Sequence, residues 1–277
     1  MTLLMIVSCA GCGLLQPVDR EPHVLSDDTT GLTVHYIDVG QADCALLQCD
    51  GQNMLIDGGN VDDSRLVVSY LQDQGVESLS YVVGTHAHED HIGGLAGVLA
   101  VYEADHVWCP VDEYDTDCFW EFASYALRQD RELECPDLGS VWSLGGAEVT
   151  VLGPVYEYDD TNNTSIVLRA DYGETSFLFT GDAEAEAEKD ILDAGFDVSA
   201  TVLKVGHHGS NTSSCYRWLY EVDPVYGVIS CGTDNDYGHP HREIVKALEK
   251  LNIKFFRTDK DGSVIILSDG KNIVSSK

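Results

Sequence analysis

The sequence predicts an α/β protein in which two stacked β-sheets carry helices on their outer faces. Three observations lead there. Short strand patterns alternate with helical ones along most of the chain. Two β-rich halves follow one another, the second starting at Val141, with no linker composition between them. The 277 residues, 44% of them hydrophobic, suffice for one large domain.

Residues 32–38 and 44–49 are period-2 or continuous apolar runs, and 54–57 is a third before the pair Gly58-Gly59, so three short strands open the fold. Between 61 and 75, Leu66, Val67, Tyr70 and Leu71 recur at helical spacing, and 80–84 reads as a fourth strand. A helix is expected near 93–101 and a strand at 105–108, followed by a cysteine- and aromatic-containing segment to about 137 with no assigned element. In the second half the patterns indicate strands at 147–152, 165–171 and 175–180, a Glu/Ala-rich helix at 183–194 and a strand at 200–205. A helix at 214–221, a strand at 225–230, a helix at 241–251 and strands at 253–256 and 263–268 complete the series. No repeat of 20 to 50 residues and no low-complexity tract is present.

The first residues stand apart. A short apolar run ends in cysteine and turns polar from Gln16; within it Ile6-Val7-Ser8-Cys9 is similar to a bacterial lipobox, in which the cysteine is lipidated. Cys12 is a second candidate, without the aliphatic residue three positions earlier. No positively charged stretch precedes the run, which departs from the usual signal pattern. The expectation is a signal segment over 1–16, a polar tether over 17–31 and a single domain over 32–277. The protein is then extracytoplasmic, secreted or anchored as a bacterial lipoprotein, with membrane attachment only through that lipid. No run of 18 uncharged apolar residues is present to span a bilayer.

Charge and cysteines bound the partners. With 47 acidic against 16 basic side chains the formal charge is −31, and the Lys and Arg residues are scattered rather than gathered in a stripe. A protein that bound nucleic acid by neutralising phosphates would show the opposite. The seven cysteines beyond Cys12 include no CxxC pair, which argues against a cysteine zinc site. Cys109, Cys118 and Cys135 share one segment and offer one disulfide if exported, whereas Cys44 and Cys231 read as small buried hydrophobes.

The chemistry sits at strand ends. In Thr85-His86-Ala87-His88-Glu89-Asp90-His91-Ile92-Gly93-Gly94, three imidazoles and a carboxylate fall within six residues, after an apolar strand and before a helix. Imidazole suits zinc and other borderline ions, and a carboxylate extends the range to manganese or iron. His86 and His88 alternate and can point one way, while Asp90 and His91 turn to a second position, so one loop can serve two metals. Further carboxylates and imidazoles stand at other strand ends: Asp57 before Gly58-Gly59, Asp182 in Phe179-Thr180-Gly181-Asp182, His207-His208 in Lys204-Val205-Gly206-His207-His208-Gly209-Ser210, and His239 in Tyr237-Gly238-His239-Pro240.

These motifs, in this order, resemble the metallo-β-lactamase superfamily of dinuclear metallohydrolases, and the resemblance covers nearly all of 32–270. It implies a four-layer αββα sandwich. It further implies that Asp57 orients the histidine loop and that Asp182 bridges two metals. Asp38-Val39-Gly40-Gln41-Ala42-Asp43, Asn162-Asn163-Thr164-Ser165, Thr180-Gly181-Asp182-Ala183-Glu184, the His207-His208 loop and Tyr237-Gly238-His239-Pro240 are together similar to the extracytoplasmic metallohydrolase domain of ComEC-type DNA-uptake proteins and their stand-alone relatives. Where many superfamily members have a metal-binding histidine, this chain has Asn162-Asn163. The inferred replacement at the first metal is His207, with His208 as the alternative, and His239 completes the second.

The expected centre is thus two divalent ions, zinc or manganese, with His86, His88 and His207 on one side, Asp90, His91 and His239 on the other, and Asp182 between them. Such a pair acidifies a water for attack and clamps the scissile group. Asp90 and His208 are the expected catalytic residues, with His208 also placed to protonate the leaving group. His208, Asn163 or Lys204 would supply the charge-stabilising donor, although Lys204 on an apolar strand equally reads as a snorkelling side chain. Two metals add only about four positive charges locally, so long DNA is disfavoured by the charge of −31. A small phosphodiester or cell-envelope ester is the expected substrate, and Trp120, Trp142 and Trp218 would suit a choline-type cation. The alternatives are a ComEC-like nuclease and a non-catalytic surface protein that keeps metal for stability. Lactam hydrolysis rests on the superfamily's name alone, and an iron redox enzyme would need a flavin partner domain.

Overall fold

The computed structural model describes residues 31–277; the signal-like segment with Cys9 and Cys12, and the tether through residue 30, lie outside them. Strands β1 (Leu32–Tyr36), β2 (Ala45–Cys49) and β3 (Gln52–Ile56) form an antiparallel meander. Helix α1 (Ser64–Asp73) then carries the chain to β4 (Leu79–Val83), parallel to β3. Two short helices, α2 (Glu89–Ile92) and α3 (Leu95–Leu99), lead to the parallel edge strand β5 (Ala104–Trp108) and helix α4 (Asp117–Leu127). The second half repeats this plan: an antiparallel run of β6 (Val141–Leu144), β7 (Ala147–Gly153), β8 (Val167–Tyr172) and β9 (Thr175–Phe179), then parallel strands reached through helices. These are α5 (Ala185–Asp193), β10 (Val202–Lys204), α6 (Tyr216–Val222), β11 (Tyr226–Ile229), α7 (Arg242–Lys250) and β12 (Lys254–Arg257), with β9, β10, β11 and β12 all parallel. After the short helix α8 (Thr258–Asp261), β13 (Val264–Ser268) and β14 (Ile273–Ser275) cross back to the first half. The resulting seven-stranded sheets have the orders β14-β13-β1-β2-β3-β4-β5 and β12-β11-β10-β9-β8-β7-β6.

Alternation of side chains turns the two sheets into a four-layer sandwich. Leu32, Val34 and Tyr36, Leu47, Met54 and Ile56 face Val149, Leu168, Phe177, Phe179 and Val202 in a core between the sheets. The opposite parity, Leu46, Leu55 and Val82, packs under Val67, Leu71, Leu95 and Phe122 of the first-half helices. Leu178 and Leu203 pack likewise under Ile191, Trp218 and Leu248 of the second-half helices. The αββα architecture implied by the sequence resemblance is therefore the observed one. Parallel strands buried on both faces read as near-continuous apolar runs, as Tyr81-Val82-Val83 does, whereas Lys204 interrupts 200–205.

Several elements differ from expectation. The segment before 137, to which the sequence pattern assigns no element, holds α4, whose Thr116 side chain accepts from Phe119 N at 3.4 Å and starts the helix. Edge strands β6 and β14 are too short to announce themselves, and 263–268 joins the first sheet rather than continuing the second. All seven described cysteines are free thiols, so Cys109, Cys118 and Cys135 form no disulfide. Trp218 is fully buried, and Trp142 leans on Trp108 with ring centroids 5.2 Å apart; only Trp120 of the three is exposed, which removes the proposed aromatic cradle for a cation. Among the described residues no helix is long and apolar enough to cross a membrane.

His35, on β1, is buried with Nδ1 3.0 Å from Tyr70 Oη and Nε2 3.1 Å from Gln48 Oε1. Burial pushes its pKa down to about 4, against the smaller upward pull of the Gln48 bond. The unfolded chain, titrating near 6.5, binds this proton more readily, so the residue's stabilising contribution is intact above pH 6.5 and is lost as pH falls towards 4. At about 1.4 kcal/mol per pH unit the loss approaches roughly 3 kcal/mol. His35→Gln is expected to flatten the decline of urea-unfolding stability between pH 6.5 and 4 relative to the wild type. Parallel declines in the two proteins would show that His35 does not drive it.

Candidate metal centre

The site forms where parallel strands of both sheets end on the same seam. β3 runs into Asp57, β4 into Thr85 and His86, β9 into Asp182, and β10 into His207 and His208. Open α/β sheets characteristically place ligands at these carboxyl ends. In the first loop His88 precedes α2, so Asp90 lies in the helix's first turn, where a carboxylate suits the helix dipole, and His91 follows it. Gly94 lets this helix approach the Asp57 loop: a Cβ there would overlap the carbonyl oxygen of Gly58, and Gly94 N donates to Gly59 O at 3.0 Å.

Hydrogen bonds fix the rings. Asp57 Oδ1 accepts from Thr85 N at 2.8 Å, and its Oδ2 accepts from Thr85 Oγ1 at 2.9 Å and lies 2.8 Å from His91 Nδ1. That leaves His91 Nε2 aimed at Asp182. Asp182 is set by Ser165, whose Oγ accepts from its backbone N–H at 3.1 Å. His86 Nε2 and His88 Nδ1 converge to 3.0 Å. In the fourth loop His207 and His208 both adopt left-handed backbone conformations, φ 49° and 53°. Such non-glycine residues persist only where surroundings over-determine them; here His207 N donates to Gly181 O at 3.1 Å and Ser210 N to His207 O at 2.7 Å.

Asp182 is the point of convergence. His91 Nε2 lies 3.3 Å from its Oδ1, while His207 Nε2 and His208 Nε2 lie 3.5 and 3.6 Å from its Oδ2. His208 Nε2 is also 3.2 Å from Asp90 Oδ2. Burial would raise the Asp182 carboxyl, yet His91 and His208 hold it well below the usual carboxylate range. Asp90 is likewise held down to about 2 by His91 and His208 against the effect of burial. Burial favours neutral His208, but Asp182 and Asp43 raise it to about 10.

The residues fit divalent metal. His91 Nε2 and Asp182 Oδ1 are buried without a hydrogen-bond partner although they face each other, an unfavourable arrangement for bare polar atoms. Asp90, His91, Asp182 and His208 offer ligand atoms all within 4.8 Å of one another. Imidazole and carboxylate are the donor types that borderline divalent ions take.

Placement differs from the sequence expectation in three respects. His208, not His239, stands with Asp90 and His91, because the left-handed turn swings its ring inward; His239 lies further out, its ring 6.2 Å from that of His208 and 5.6 Å from that of His207. Lys204 points into the sandwich, where its Nζ is 2.8 Å from Asp43 Oδ2 and donates to Val205 O, so it faces no open surface. Asn163 is buried, and its side-chain oxygen accepts from Glu184 N at 3.0 Å, capping the approach to α5. No sequence signal marks Thr85, Ser165 or Ser230, whose carbonyl oxygen lies 3.1 Å from His208 Nδ1. Asp43 does carry a signal, a carboxylate between Ala42 and the apolar run 44–47.

A family model described as the metallo-beta-lactamase superfamily matches residues 37–233, well over half of the chain. The chain belongs to the metallo-beta-lactamase superfamily. Within the superfamily it is similar to "ComE operon protein 3" of Bacillus subtilis, 28% identical over 250 residues that cover 83% of this chain and 32% of that protein. It is also 29% identical over 283 residues to "Competence protein ComA" of Neisseria gonorrhoeae, covering 95% of this chain and 38% of that protein. The chain therefore spans about a third of the length of these relatives. Among solved structures the metallo-beta-lactamase fold protein YhfI of Bacillus subtilis matches with a TM-score of 0.56 at 14% identity, over 82% of this chain and 95% of that one. CmlA, a diiron beta-hydroxylase from Streptomyces venezuelae, matches with a TM-score of 0.52 at 16% identity, over 84% of this chain and 52% of that one. These two likenesses show the fold alone. Family, fold and His/Asp clusters together are those of a metal-dependent hydrolase of the superfamily.

Proposed function

We propose that the protein is a dinuclear hydrolase that cleaves a small phosphodiester outside the cytoplasm. The observation that carries this reading is the convergence of His91, His207 and His208 on the two oxygens of Asp182, as expected of a carboxylate shared between two ions. In this reading His86, His88 and His207 hold one ion, and Asp90, His91 and His208 the other. Two zinc or manganese ions there would polarise phosphoryl oxygens and lower the pKa of a water. Asp57, through its bond to His91 Nδ1, fixes which ring nitrogen faces the centre. His239, stacked under the exposed ring of Tyr237 with centroids 5.6 Å apart, lies beside His207 and His208.

Charge supports the small substrate. Besides the overall −31, a cavity of about 500 Å³ lined by Glu157, Tyr158, Asp159, Asp160 and Glu186 adds negative charge at the first turn of α5, the helix that follows Asp182 in the chain. A polyanion would meet that field along its length, whereas a single diester needs only the metal centre. The signal-like segment and the likeness to competence proteins support an extracytoplasmic location, with the N-terminal lipid as the membrane attachment. The same likeness favours a second reading, a DNA nuclease.

The test is hydrolysis of bis-p-nitrophenyl phosphate beside labelled single-stranded DNA, with the protein loaded separately with zinc and manganese. Cleavage of the diester with little DNA degradation is expected. Efficient DNA degradation would replace this reading with the nuclease, and bound metal without turnover of either would make the protein a non-catalytic metal binder.

A further inference from the structure

The segment Asp38-Val39-Gly40-Gln41-Ala42-Asp43 belongs to the first half, yet two of its side chains reach the second. Gln41 Oε1 accepts from Gly232 N at 3.0 Å, and its Nε2 lies 3.4 Å from His239 Nδ1. Asp43 goes deeper. Its backbone N–H donates to Asp90 O at 3.0 Å and its carbonyl accepts from Gly59 N at 2.9 Å, so its main chain is tied to both first-half site loops. Its side chain lies between Lys204 Nζ, 2.8 Å from Oδ2, and His208 Nδ1, 3.2 Å from Oδ1. All three side chains are buried. Lys204 arrives there because it shares the inward parity of Val202 on β10.

His208 Nδ1 is also 3.1 Å from Ser230 O, and a carbonyl oxygen can only accept. This nitrogen therefore carries a proton, and the other, Nε2, is the one turned to Asp90 and Asp182. We propose that Asp43, clamped by Lys204, is a positioning residue that holds His208 with Nδ1 inward and Nε2 presented to the metal centre. Lys204 then acts on the reaction only through Asp43. The Ser230 carbonyl sets the tautomer, and a carboxylate behind a ligating imidazole holds the ring's orientation. The inference rests on the dinuclear reading above and assigns the second ion's affinity to a residue that would not touch it.

The test uses the zinc-loaded protein with Asp43→Asn, Lys204→Met and the double variant. Stepwise zinc affinity is measured by chelator competition, folding by circular dichroism, and the protonated ring nitrogen of His208 by long-range ¹⁵N–¹H spectra. Each single variant is expected to weaken one zinc equivalent about 10–100-fold and leave the other unchanged, with the double variant no weaker than the weaker single. Unchanged affinity, or equal loss at both equivalents with loss of structure, would reduce the pair to a strut between the sheets. A raised KM for the diester in Lys204→Met at unchanged zinc affinity would make Lys204 a substrate contact and overturn the proposal. Should Asp43→Asn not fold, Lys204→Met decides: a folded variant with unchanged affinity at both zinc equivalents overturns it, as does a proton on Nε2 of zinc-loaded wild-type His208. Wild-type protein that binds no zinc would sink the dinuclear reading, and this one with it.

Discussion

Asp182→Ala is expected to lower hydrolysis of a small phosphodiester about a thousandfold and to leave at most one divalent ion bound. A metal pair contributes several kcal/mol of transition-state stabilisation, and each 1.4 kcal/mol is about tenfold in rate. Asp182 lies within 3.6 Å of imidazoles assigned to both ions, His207 to one and His91 and His208 to the other. Its loss leaves those rings facing one another with no shared anion. His86→Ala should behave alike, because His86 supplies the nitrogen that converges with His88. Metal content by elemental analysis, read beside initial rates, checks both. Hydrolysis retained in the two variants would refute a shared dinuclear centre.

His208→Ala is expected to cost at least a hundredfold in rate together with one metal equivalent, and His207→Ala about tenfold less, on the scale of single-ligand and supporting-residue effects. The ranking follows from burial and partners. His208 is 1% exposed and touches Asp43, Asp90 and Asp182, whereas His207, with its side chain 21% exposed, also engages Thr212 and Glu184 through Nδ1. Equilibrium metal titration and kcat/KM of the two variants decide. The reverse order would restore His207 as the dominant ligand and relegate His208 to proton transfer.

The strand ends were legible in the sequence because metal chemistry demands residue types that have no other reason to cluster beside apolar strands. His86, His88, Asp90 and His91 announce themselves by density, and Asp182 by a lone carboxylate after Phe179-Thr180-Gly181. Which of His207 and His208 turns inward was not legible, since it depends on two consecutive left-handed residues and on Asp43, remote in sequence. Lys204 misled for a related reason: a lysine on an apolar strand looks available until its inter-sheet partner is known. Helix α4 was in fact readable, since Phe119, Phe122 and Ala126 recur at helical spacing behind the Thr116 cap, but the acidic residues around it obscured the pattern. The sheet to which 264–268 belongs is set by pairing with residues at the other end of the domain, which no local pattern encodes.

That pairing bears on how the molecule is made. β1 is an interior strand only because β13 lies against it, Leu32 opposite Ser268 and Tyr36 opposite Val264. A nascent chain that ends before β13 holds every residue of the candidate metal centre yet displays β1 as an open edge whose inward residues are Leu32, Val34 and Tyr36. Open apolar edges recruit other strands, and contacts so distant in sequence form slowly. The C-terminal ribbon thus works as a latch: the ligands are all synthesised before the sheet that supports them can close.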